Sequence, residues 1–460
     1  MGSEGDVAQK LAEIVGERHF LTGEAIPDEY AGDEALVGER QKPRYVAKPA
    51  TADEVAAILA TATEHGIPVT ARGSGSGLSA AARPSAEGIL ISFERMNTVI
   101  EIDTTNHVAV VQPGVTLSEL DELTAESGLG YTVYPGEMSA SVGGNVGTNA
   151  GGMRAVKYGV TRNNVLGLQA ALPTGEIIRT GGKIVKTSTG YDLTQLIIGS
   201  EGTLALATEV TVKLHPRLGN GATVLAPFTD LDTVMAAVPS VVSSGIAPHI
   251  LEYIDALTMA AITYTASLSL GIPDEVREAS QAYLVVGLEN KEAQRLSDDV
   301  AALGELLTGL GATDVYVLEG GSARKLIEAR EKAFWTAKAA GADDVIDVVV
   351  PRSTMPEFLA RAREIAGKTE SGVVGCGHAG DGNVHLGIFQ KDPEKRSSLL
   401  RDIFAVGMEL GGAISGEHGI GRAKLEYFTE LEDPVKIELM HRIKQAFDPK
   451  GILNPGVLFG

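Results

Sequence analysis

The sequence predicts an α+β protein of two or three domains, and three observations lead to that prediction. At 460 residues the chain is too long for one hydrophobic core. Up to about residue 219, short strand-like and helix-like segments are mixed, without the long run of strand–helix units that builds a doubly wound sheet. Across residues 222–365, strands alternate with helices in a pattern that favours one or two ferredoxin-like units.

Start signals predict the first elements of the chain. Thr51 and Glu54 form a capping-box pattern that begins a helix, and Thr116 and Glu119 repeat the pattern before a second helix. Residues 67–70 have the composition of a strand that leads directly into a glycine-rich stretch. We therefore expect this stretch to be held by regular structure on its N-terminal side.

Two glycine-rich stretches stand out in the first half, RGSGSGLS at 72–79 and PGEMSASVGGNVGTNAGG at 135–152. With scarcely a bulky side chain they are expected to build no core and to leave bare N–H groups close to a ligand. Two such loops suggest a ligand with two phosphates and a long flat body, which a flavin dinucleotide fits. Neither matches the phosphate-binding loop, and the first lacks the third glycine of the dinucleotide fingerprint, which weakens an ATP or nicotinamide hypothesis. Ordinary turns, or a linker at 72–79, are the alternative.

Composition and charge exclude several classes of partner. The net charge of -21, from 39 basic and 60 acidic residues, argues against nucleic acid or anionic lipid as the main partner. The single cysteine, Cys376, excludes an intrachain disulfide and suits a reducing compartment. The acidic N-terminus is unlike a secretory signal, and no apolar run approaches the ~18 residues that span a bilayer. We expect a cytoplasmic protein, with peripheral contact at the inner face of the membrane left open.

Three segments near the C-terminus carry the densest chemistry: GHAGDGNVH at 377–385, SGEHGIG at 415–421 and KQAFDPKGILNPG at 444–456. The first two combine histidines with a glutamate, and these donor types suit a borderline divalent metal such as Zn, Fe or Mn. A polar loop and a surface pair would explain the same residues. The zinc-protease motif HExxH is absent.

The spacing of the two histidines in the first segment makes a structural demand. His378 and His385 are seven residues apart, so one extended strand would place them on opposite faces. The glycine-flanked turn at Asp381 must fold the chain back if both are to bind one ion. Cys376 beside them is more typical of a small buried apolar residue than of a ligand.

These motifs together resemble the FAD-linked oxidases of the vanillyl-alcohol-oxidase superfamily, and within it the branch of D-lactate dehydrogenase, glycolate oxidase catalytic subunit and D-2-hydroxyglutarate dehydrogenase. The resemblance covers the chain from about residue 43 to 459. It implies a two-lobed PCMH-type FAD-binding domain at 1–219 and an inserted ferredoxin-like substrate (cap) domain at 220–415. A C-terminal helical segment at 416–460 would return to the FAD domain and complete the active site.

The resemblance also implies where FAD lies. Its pyrophosphate would lie on the first glycine-rich loop, the isoalloxazine along the second, and the ribityl or adenine end near residues 201–202. Ser76 occupies the position at which some relatives carry a flavin-linked histidine, so the flavin is expected to be non-covalent. The implied FAD-binding residues are Arg72, Gly73, Ser74, Gly75, Ser76, Gly77, Leu78, Ser79, Pro135, Gly136, Ser139, Ser141, Gly143, Gly144, Asn145, Asn149, Gly152, Glu201, Gly202 and Asn454.

The implied activity is oxidation of a D-2-hydroxy acid, of the D-lactate, glycolate or D-2-hydroxyglutarate class, by hydride transfer to flavin N5. Arg330 matches the family's carboxylate-binding arginine, although spacing alone makes it one more charged position on a helix, and Arg352 is a second candidate. A divalent ion would lower the pKa of the substrate hydroxyl for a histidine base. The implied roles are metal ligand for His378, His385 and Glu417, base for His418, and substrate contact for Asn383.

Two other functions stay open at this point. An accessory FAD-binding subunit that relays electrons in a hydroxy-acid oxidase complex would share the fold, and a metal-dependent hydrolase would share the histidines. Because the sequence has no Fe–S cysteine set or haem motif, electrons would leave to an external acceptor. A quinone, a cytochrome and an electron-transfer flavoprotein are the expected classes, and dioxygen is left open. The choice of 2-hydroxy acid and the formation of a homodimer are left open.

Overall fold

The computed structural model describes residues 4–459, and its N-terminal part begins with a lobe on a four-stranded sheet. The elements of this lobe are α1 (Glu4–Val15), β1 (Phe20–Thr22), β2 (Tyr45–Ala47), α2 (Ala52–His65), β3 (Val69–Arg72) and β4 (Ile89–Ser92), with short 3-10 helices at Glu17–His19, Gly23–Ala25, Asp28–Ala31 and Phe93–Arg95. The strand order is β1-β2-β4-β3. Strands β2, β4 and β3 are parallel, and β1 is antiparallel to β2.

Helix α2 begins and ends where the sequence signals predicted. Thr51 Oγ1 accepts a hydrogen bond from Glu54 N at 3.2 Å, and Gly66 ends the helix in the left-handed region with φ 65°. Its inner face buries Ile58 and Leu59 completely in the core of the first lobe. The helix therefore supports the strand that leads into the first glycine-rich loop.

A second lobe follows on a five-stranded antiparallel sheet. Its elements are β5 (Val99–Asp103), β6 (Val108–Val111), α3 (Leu117–Ala125), β7 (Leu129–Gly130), α4 (Val142–Thr148), α5 (Ala155–Tyr158), α6 (Thr161–Asn164), β8 (Val165–Ala171), β9 (Ile177–Gly181), α7 (Leu193–Ile197), β10 (Leu206–Lys213) and β11 (His215–Pro216). The sheet order is β5-β6-β10-β8-β9, while β7 pairs with β11 apart from it. The capping box of Thr116 and Glu119 is present at the start of α3.

The second glycine-rich stretch differs from the loop without a core that its composition predicts. Residues Val142–Thr148 form helix α4, capped by Ser141, whose Oγ accepts from Gly144 N at 3.2 Å. Val142 and Val146 lie in the core of the second lobe. Tertiary packing and the cap outweigh the low helix propensity of its glycines.

The next part of the chain is built on one seven-stranded antiparallel sheet. Its elements are β12 (Asn220–Phe228), α8 (Leu231–Ser243), β13 (Ile250–Asp255), α9 (Ala256–Thr265), α10 (Asp274–Ala279), β14 (Ala282–Asn290), α11 (Ala293–Gly309), β15 (Tyr316–Leu318), α12 (Gly320–Glu331), α13 (Ala333–Ala339), β16 (Asp344–Val349), a 3-10 helix at Arg352–Thr354, α14 (Met355–Lys368), β17 (Gly372–His378), β18 (Asn383–Phe389) and α15 (Pro393–Glu409). The order is β15-β12-β14-β13-β17-β18-β16.

This sheet joins one complete and one incomplete ferredoxin-like unit. Strands β15-β12-β14-β13, with α8 and α11, have the βαββαβ topology of the complete unit. Strands β17-β18-β16, with α14 and α15, repeat it without a fourth strand; a single antiparallel bridge between Val349 and Ala413 lies where that strand would begin. The prediction of ferredoxin-like units is confirmed, and the missing strand frees the chain after Ala413 to leave the sheet.

The helices of this sheet lie on two faces with different roles. Helices α8, α11, α14 and α15 cover one face and form the largest hydrophobic core with it. On the other face α9, α12 and α13 pack around a smaller core. The site described below opens on this second face.

The C-terminal segment returns to the first lobe. Its helices are α16 (Leu425–Leu431) and α17 (Pro434–Phe447). Beyond them, Val69 N donates to Ile452 O at 2.8 Å and Asn454 N donates to Val69 O at 2.7 Å, so the last residues lie alongside β3. The predicted α+β class and the returning segment are confirmed, whereas the domain boundaries at 219/220 and 415/416 stay a prediction.

Candidate active site

A deep cleft lies between the two N-terminal lobes, where the two glycine-rich stretches meet. The first loop follows β3, and the second comes from the second lobe. A Cβ at Gly73 would overlap the Ser141 side chain, so only glycine allows this approach of the loops. The cleft holds about 1310 Å³ of empty space, part of it open to solvent. The predicted FAD-binding residues that line it are Gly73, Ser74, Gly75, Ser76, Gly77, Leu78, Ser79, Pro135, Ser141, Gly143, Gly144, Asn145, Glu201, Gly202 and Asn454.

Five predicted FAD-binding residues lie outside the cleft wall. Arg72 donates to Gly32 O at 2.5 Å, and Ser139 accepts from Ser74 Oγ at 2.5 Å, so both hold the first loop in place. Asn149 caps α4 at φ 55°, and its Oδ1 accepts from Arg162 N at 2.9 Å. The other two are glycines with positive φ: Gly152 packs on the Tyr134 carbonyl, and Gly136 lines the neighbouring cavity.

Unpaired polar atoms in the wall of the cleft are consistent with a bound flavin dinucleotide. Asn145 Nδ2 and Ser79 Oγ are buried in its wall without a hydrogen-bond partner. Buried donors of this kind are costly unless a ligand satisfies them. The surrounding backbone N–H groups of the glycine loops add further donors that suit phosphate oxygens.

Glu201 connects the cleft with the C-terminal segment. Its carboxylate, which is buried, accepts from Ile420 N and Gly421 N at 2.8 Å each. Burial raises the pKa of Glu201 to about 7, against the effect of these two bonds. Gly421 has φ 54°, and a Cβ there would overlap the Ser79 carbonyl. The C-terminal segment can therefore pack against the first loop only with glycine at position 421.

The two histidines of the predicted metal site lie on one hairpin. Strand β17 ends at His378 and β18 begins at Asn383, and these two residues face each other across the hairpin. His385 lies two residues further along β18, so all three side chains are on the same face. The turn at 379–382 therefore folds the chain back as the spacing demanded.

The predicted metal ligands converge at the end of this hairpin. His378 Nε2 and His385 Nε2 lie 3.2 and 3.1 Å from the same oxygen, Glu417 Oε1. One donor atom of each residue lies within 4.8 Å of the others. Two imidazoles and a carboxylate are the donors that borderline divalent ions prefer, so the set fits such an ion.

Glu252, on β13, supports this donor set from behind. Its Oε1 lies 2.6 Å from His378 Nδ1, and its Oε2 forms an ion pair with Arg330 Nη2 at 2.7 Å. Burial opposes a charge on His378, but Glu252 and Glu417 raise its pKa to about 10. A carboxylate behind a ligating histidine fixes the orientation of the ring and raises its basicity.

Arg330 is buried in α12 with unused donors. The contact with Glu252 lacks hydrogen-bond geometry, and Nε and Nη2 have no hydrogen-bond partner. Two parallel N–H groups of a guanidinium match a carboxylate. The other candidate, Arg352, is exposed on a 3-10 helix and does not line the cavity beside the metal ligands.

Asp347, on β16, organises the loop that carries Glu417 and His418. It accepts from the backbone N–H of Gly416 and Glu417 at 2.7 Å each and of His418 at 3.2 Å. Lys424 Nζ donates to it at 2.5 Å. Burial alone would raise the pKa of Asp347, but His418 and Lys424 hold it well below its usual range.

His418 is buried next to this carboxylate. Its Nδ1 lies 3.3 Å from Asp347 Oδ1 without a hydrogen bond. Burial lowers the pKa of His418 to about 4, although Asp347 acts in the opposite direction. The ring is therefore neutral near pH 7 and able to accept a proton.

A second cavity, of about 690 Å³ of empty space, adjoins the cleft. Leu78, Pro135, Glu417 and His418 line both spaces. Arg330, His378 and His385 line the second cavity only, and Asn383 lies behind His385, with Nδ2 3.5 Å from His385 Nε2. The structure thus brings the predicted catalytic and metal residues to the junction of the two spaces.

Sequence reasoning missed Glu252, Asp347 and Lys424. Glu252 and Asp347 are acids in the interior of otherwise apolar strands, Ile250–Asp255 and Asp344–Val349, and both are fully buried. An acid inside an apolar strand is a usable signal, because a buried charge needs a partner. Lys424 carries no comparable signal in its local sequence.

Comparisons with known proteins identify the family of the chain. A family model described as the C-terminal domain of FAD linked oxidases matches residues 219–458, and a FAD binding domain matches residues 43–181. The chain belongs to the FAD-linked oxidases. This FAD-linked oxidase is 69% identical to an uncharacterized FAD-linked oxidoreductase of Mycobacterium tuberculosis, over 99% of each chain. It is 36% identical to the D-lactate dehydrogenase of Anaerostipes hadrus, over 98% of this chain and 96% of that one.

The wider set of relatives gives the branch. Relatives at 29–37% identity are named D-lactate dehydrogenase, glycolate oxidase subunit and D-2-hydroxyglutarate dehydrogenase. The FAD-linked oxidase described here is thus an oxidoreductase of the hydroxy-acid dehydrogenase branch, and its FAD binding domain supports FAD as cofactor.

A solved structure matches the fold. The crystal structure of p-cresol methylhydroxylase with substrate bound has a TM-score of 0.80 and 18% identity, over 99% of this chain and 97% of that one. The predicted PCMH-type FAD-binding fold of this FAD-linked oxidase is thereby confirmed. Among residues 4–459, no helix combines the length and the apolar character needed to cross a bilayer.

Proposed function

We propose that the protein oxidises a D-2-hydroxy acid to the 2-oxo acid, with non-covalent FAD as hydride acceptor and a divalent ion on His378, His385 and Glu417. One observation carries the proposal: Arg330, whose Nε and Nη2 have no hydrogen-bond partner, and the three metal-ligand side chains line a single cavity that adjoins the FAD cleft. A 2-hydroxy acid presents a carboxylate and an adjacent hydroxyl, which need these two kinds of group. The name of the Anaerostipes hadrus relative supports the same class.

Three residues of this chain have separate roles in the proposed reaction. Arg330 binds the substrate carboxylate and so orients the substrate with its Cα–H bond toward the FAD cleft. His418 accepts the hydroxyl proton on Nε2, since Nδ1 faces Asp347. Asp347 keeps the backbone of Glu417 and His418 in register. When bound, FAD supplies the two-electron acceptor and the metal ion lowers the pKa of the substrate hydroxyl.

The partners of this reaction are also part of the proposal. Electrons leave the flavin to an external acceptor, a quinone, a cytochrome or an electron-transfer flavoprotein. The assembly is proposed to be cytoplasmic, either alone or as a homodimer, with peripheral contact to the membrane through the acceptor. Titration of the reduced protein with each acceptor class tests this, and reoxidation by none of them would contradict it.

Anaerobic loss of the flavin absorption band tests the reaction. One D-2-hydroxy acid should bleach the flavin, its L-enantiomer should not, and chelator treatment should abolish bleaching. His418→Ala should retain FAD and lose ~100-fold or more in turnover, and Glu417→Gln should lose the metal. A colourless protein would point to a metal-dependent hydrolase. A yellow protein that no acid bleaches would favour an accessory electron-relay subunit.

A further inference from the structure

The second cavity is mixed in character, polar at one end and apolar at the other. Strands β16, β18 and β17 cross its floor side by side, so residues paired across them form rows on one face of the sheet. The row nearest the turn contains Val349, Asn383 and His378. The next contains Asp347, His385 and Cys376. Both rows belong largely to the catalytic end.

The third row is apolar. It consists of Val345, Gly387 and Val374, all of which line the cavity. Two residues along a strand correspond to about 7 Å, so this row lies about that far beyond His385. Phe334 and Ala337 of α13 cover it from the opposite side. The cavity thus continues past the metal ligands into an apolar space.

Gly387 is the residue of this row that has no side chain. A Cβ there would meet Val374, Ala337 and Phe389 at 3.6–3.7 Å, which is ordinary contact. An alanine would therefore fit, and any larger side chain would fill the space above the row. The glycine is not required by backbone conformation, because Gly387 is not among the residues of positive φ.

Charge in the cavity favours one carboxylate only. Arg330 is the one lysine or arginine among the described residues that line it, and Glu331 lines it as well. The nearby Lys338 lies outside the lining and pairs with Glu34 at 2.7 Å. A second carboxylate at the apolar end would be buried without a partner, at a large cost.

We infer that the substrate is a 2-hydroxy acid with an uncharged, apolar side chain of several carbon atoms, which lies on Val345, Gly387 and Val374. This inference rests on the proposed function, since it takes Arg330 and the metal ligands as the site of the carboxylate and hydroxyl. It separates the protein from enzymes that act on a dicarboxylic hydroxy acid. It also predicts that glycolate and D-lactate leave most of the apolar space empty.

The test compares substrates on the wild-type holoenzyme. The value of kcat/KM should rise about fourfold for each CH₂ buried, from glycolate through D-lactate and D-2-hydroxybutyrate to D-2-hydroxyhexanoate. D-2-hydroxyglutarate, close in size to the hexanoate but charged, should react at least ~100-fold less well than it. As a readout apart from turnover, 2-oxohexanoate should raise the Tm of the holoenzyme more than pyruvate does at equal concentration.

Gly387→Val tests the location of the side chain. It should lower the ratio of kcat/KM for D-2-hydroxyhexanoate to that for D-lactate by at least ~10-fold, because the added methyl groups occupy the apolar space. Gly221→Val, an exposed glycine of the same sheet, is the matched control and should leave the ratio unchanged. FAD content and Tm establish that both variants are folded.

The possible failures are distinguishable. If kcat/KM falls along the series, or D-2-hydroxyglutarate is preferred, the inference is wrong and the proposed function stands. If the ratio is the same in Gly387→Val, the side chain lies elsewhere and the inference is wrong. If none of these acids reduces the flavin, the proposed function and the inference fall together.

Discussion

Glu252 joins two groups of the site that are far apart in sequence. It is fully buried, and its two oxygens face His378 and Arg330. Removal of its charge would leave the guanidinium without a counter-charge and the imidazole without its orienting acceptor. One side chain thus positions the binding groups for both ends of the reacting part of the substrate.

We therefore predict that Glu252→Gln weakens metal binding by about 10- to 100-fold and raises KM more than it lowers kcat. Metal content after dialysis against a weak chelator, and the separate kinetic constants, measure this. Glu289→Gln is the control, since Glu289 is a half-buried acid on β14 that pairs with Lys157 and Tyr158 and does not line the cavity beside the metal ligands. Unchanged metal content in Glu252→Gln would show that the carboxylate only fills space.

The predictability of the site differs between its residues for a physical reason. His378, His385 and Glu417 could be found because their donor types and neighbouring glycines are visible locally. For Glu252 the sequence shows only an acid inside an apolar strand; its partner could not be predicted, because His378 is 126 residues away and the contact depends on strand register. Asp347 holds the loop at Glu417 across 70 residues in the same way.

At the scale of elements, helix α17 fastens the C-terminal segment to the FAD lobes. Lys444 Nζ donates to Thr203 O and Leu453 O at 2.8 Å each and to Asp448 Oδ2 at 2.5 Å. Asp448 in turn accepts from Leu453 N at 2.8 Å. One ammonium therefore connects the end of the helix, the last residues of the chain and the region next to Glu201.

We predict that Lys444→Met lowers the free energy of unfolding by about 1–3 kcal/mol and weakens FAD retention, because a buried carboxylate and two carbonyls lose their donor. Thermal unfolding and the flavin-to-protein ratio after gel filtration measure this. Lys436→Met on the same helix is the control, as Lys436 is exposed and pairs with Glu432 one turn away. Equal effects from both variants would contradict the prediction.

Helix α4 shows that amino-acid composition alone does not predict secondary structure. Its glycines predicted an irregular loop, but Ser141 caps it and Val142 and Val146 enter the core. By contrast, α2 and α3 were predictable because their caps are local and their apolar faces are regular. The order of the seven-stranded sheet follows from pairings such as β13 with β17, which no local pattern specifies.

At the scale of the molecule, the FAD cleft is shared by both lobes and by the C-terminal segment through Glu417, His418 and Asn454. A ligand that contacts all three binds the folded chain and not the unfolded one. Stability should therefore rise with free FAD, by about 2.7 kcal/mol at 100 times the dissociation constant.

Tm measured on protein stripped of flavin and titrated with FAD should increase continuously with ligand concentration. FMN, which lacks the adenylate half, should give a smaller increase, since it can occupy only part of the cleft. A Tm that is independent of FAD would contradict the prediction that the lobes and the C-terminal segment share the ligand.

The missing fourth strand of the second ferredoxin-like unit has a mechanical consequence. After Ala413 the chain leaves the seven-stranded sheet and crosses to the FAD lobes. At one end of this crossing segment, Asp347 accepts hydrogen bonds from three backbone N–H groups. At the other end, Glu201 accepts hydrogen bonds from the N–H groups of Ile420 and Gly421. A rotation of the seven-stranded sheet away from the FAD lobes would have to break one of these two sets of hydrogen bonds, and loss of the Asp347 set would release Glu417 from its place beside His378 and His385. Substrate and product therefore enter and leave through smaller local displacements, while the segment at 416–421 stays fixed between the sheet and the FAD lobes.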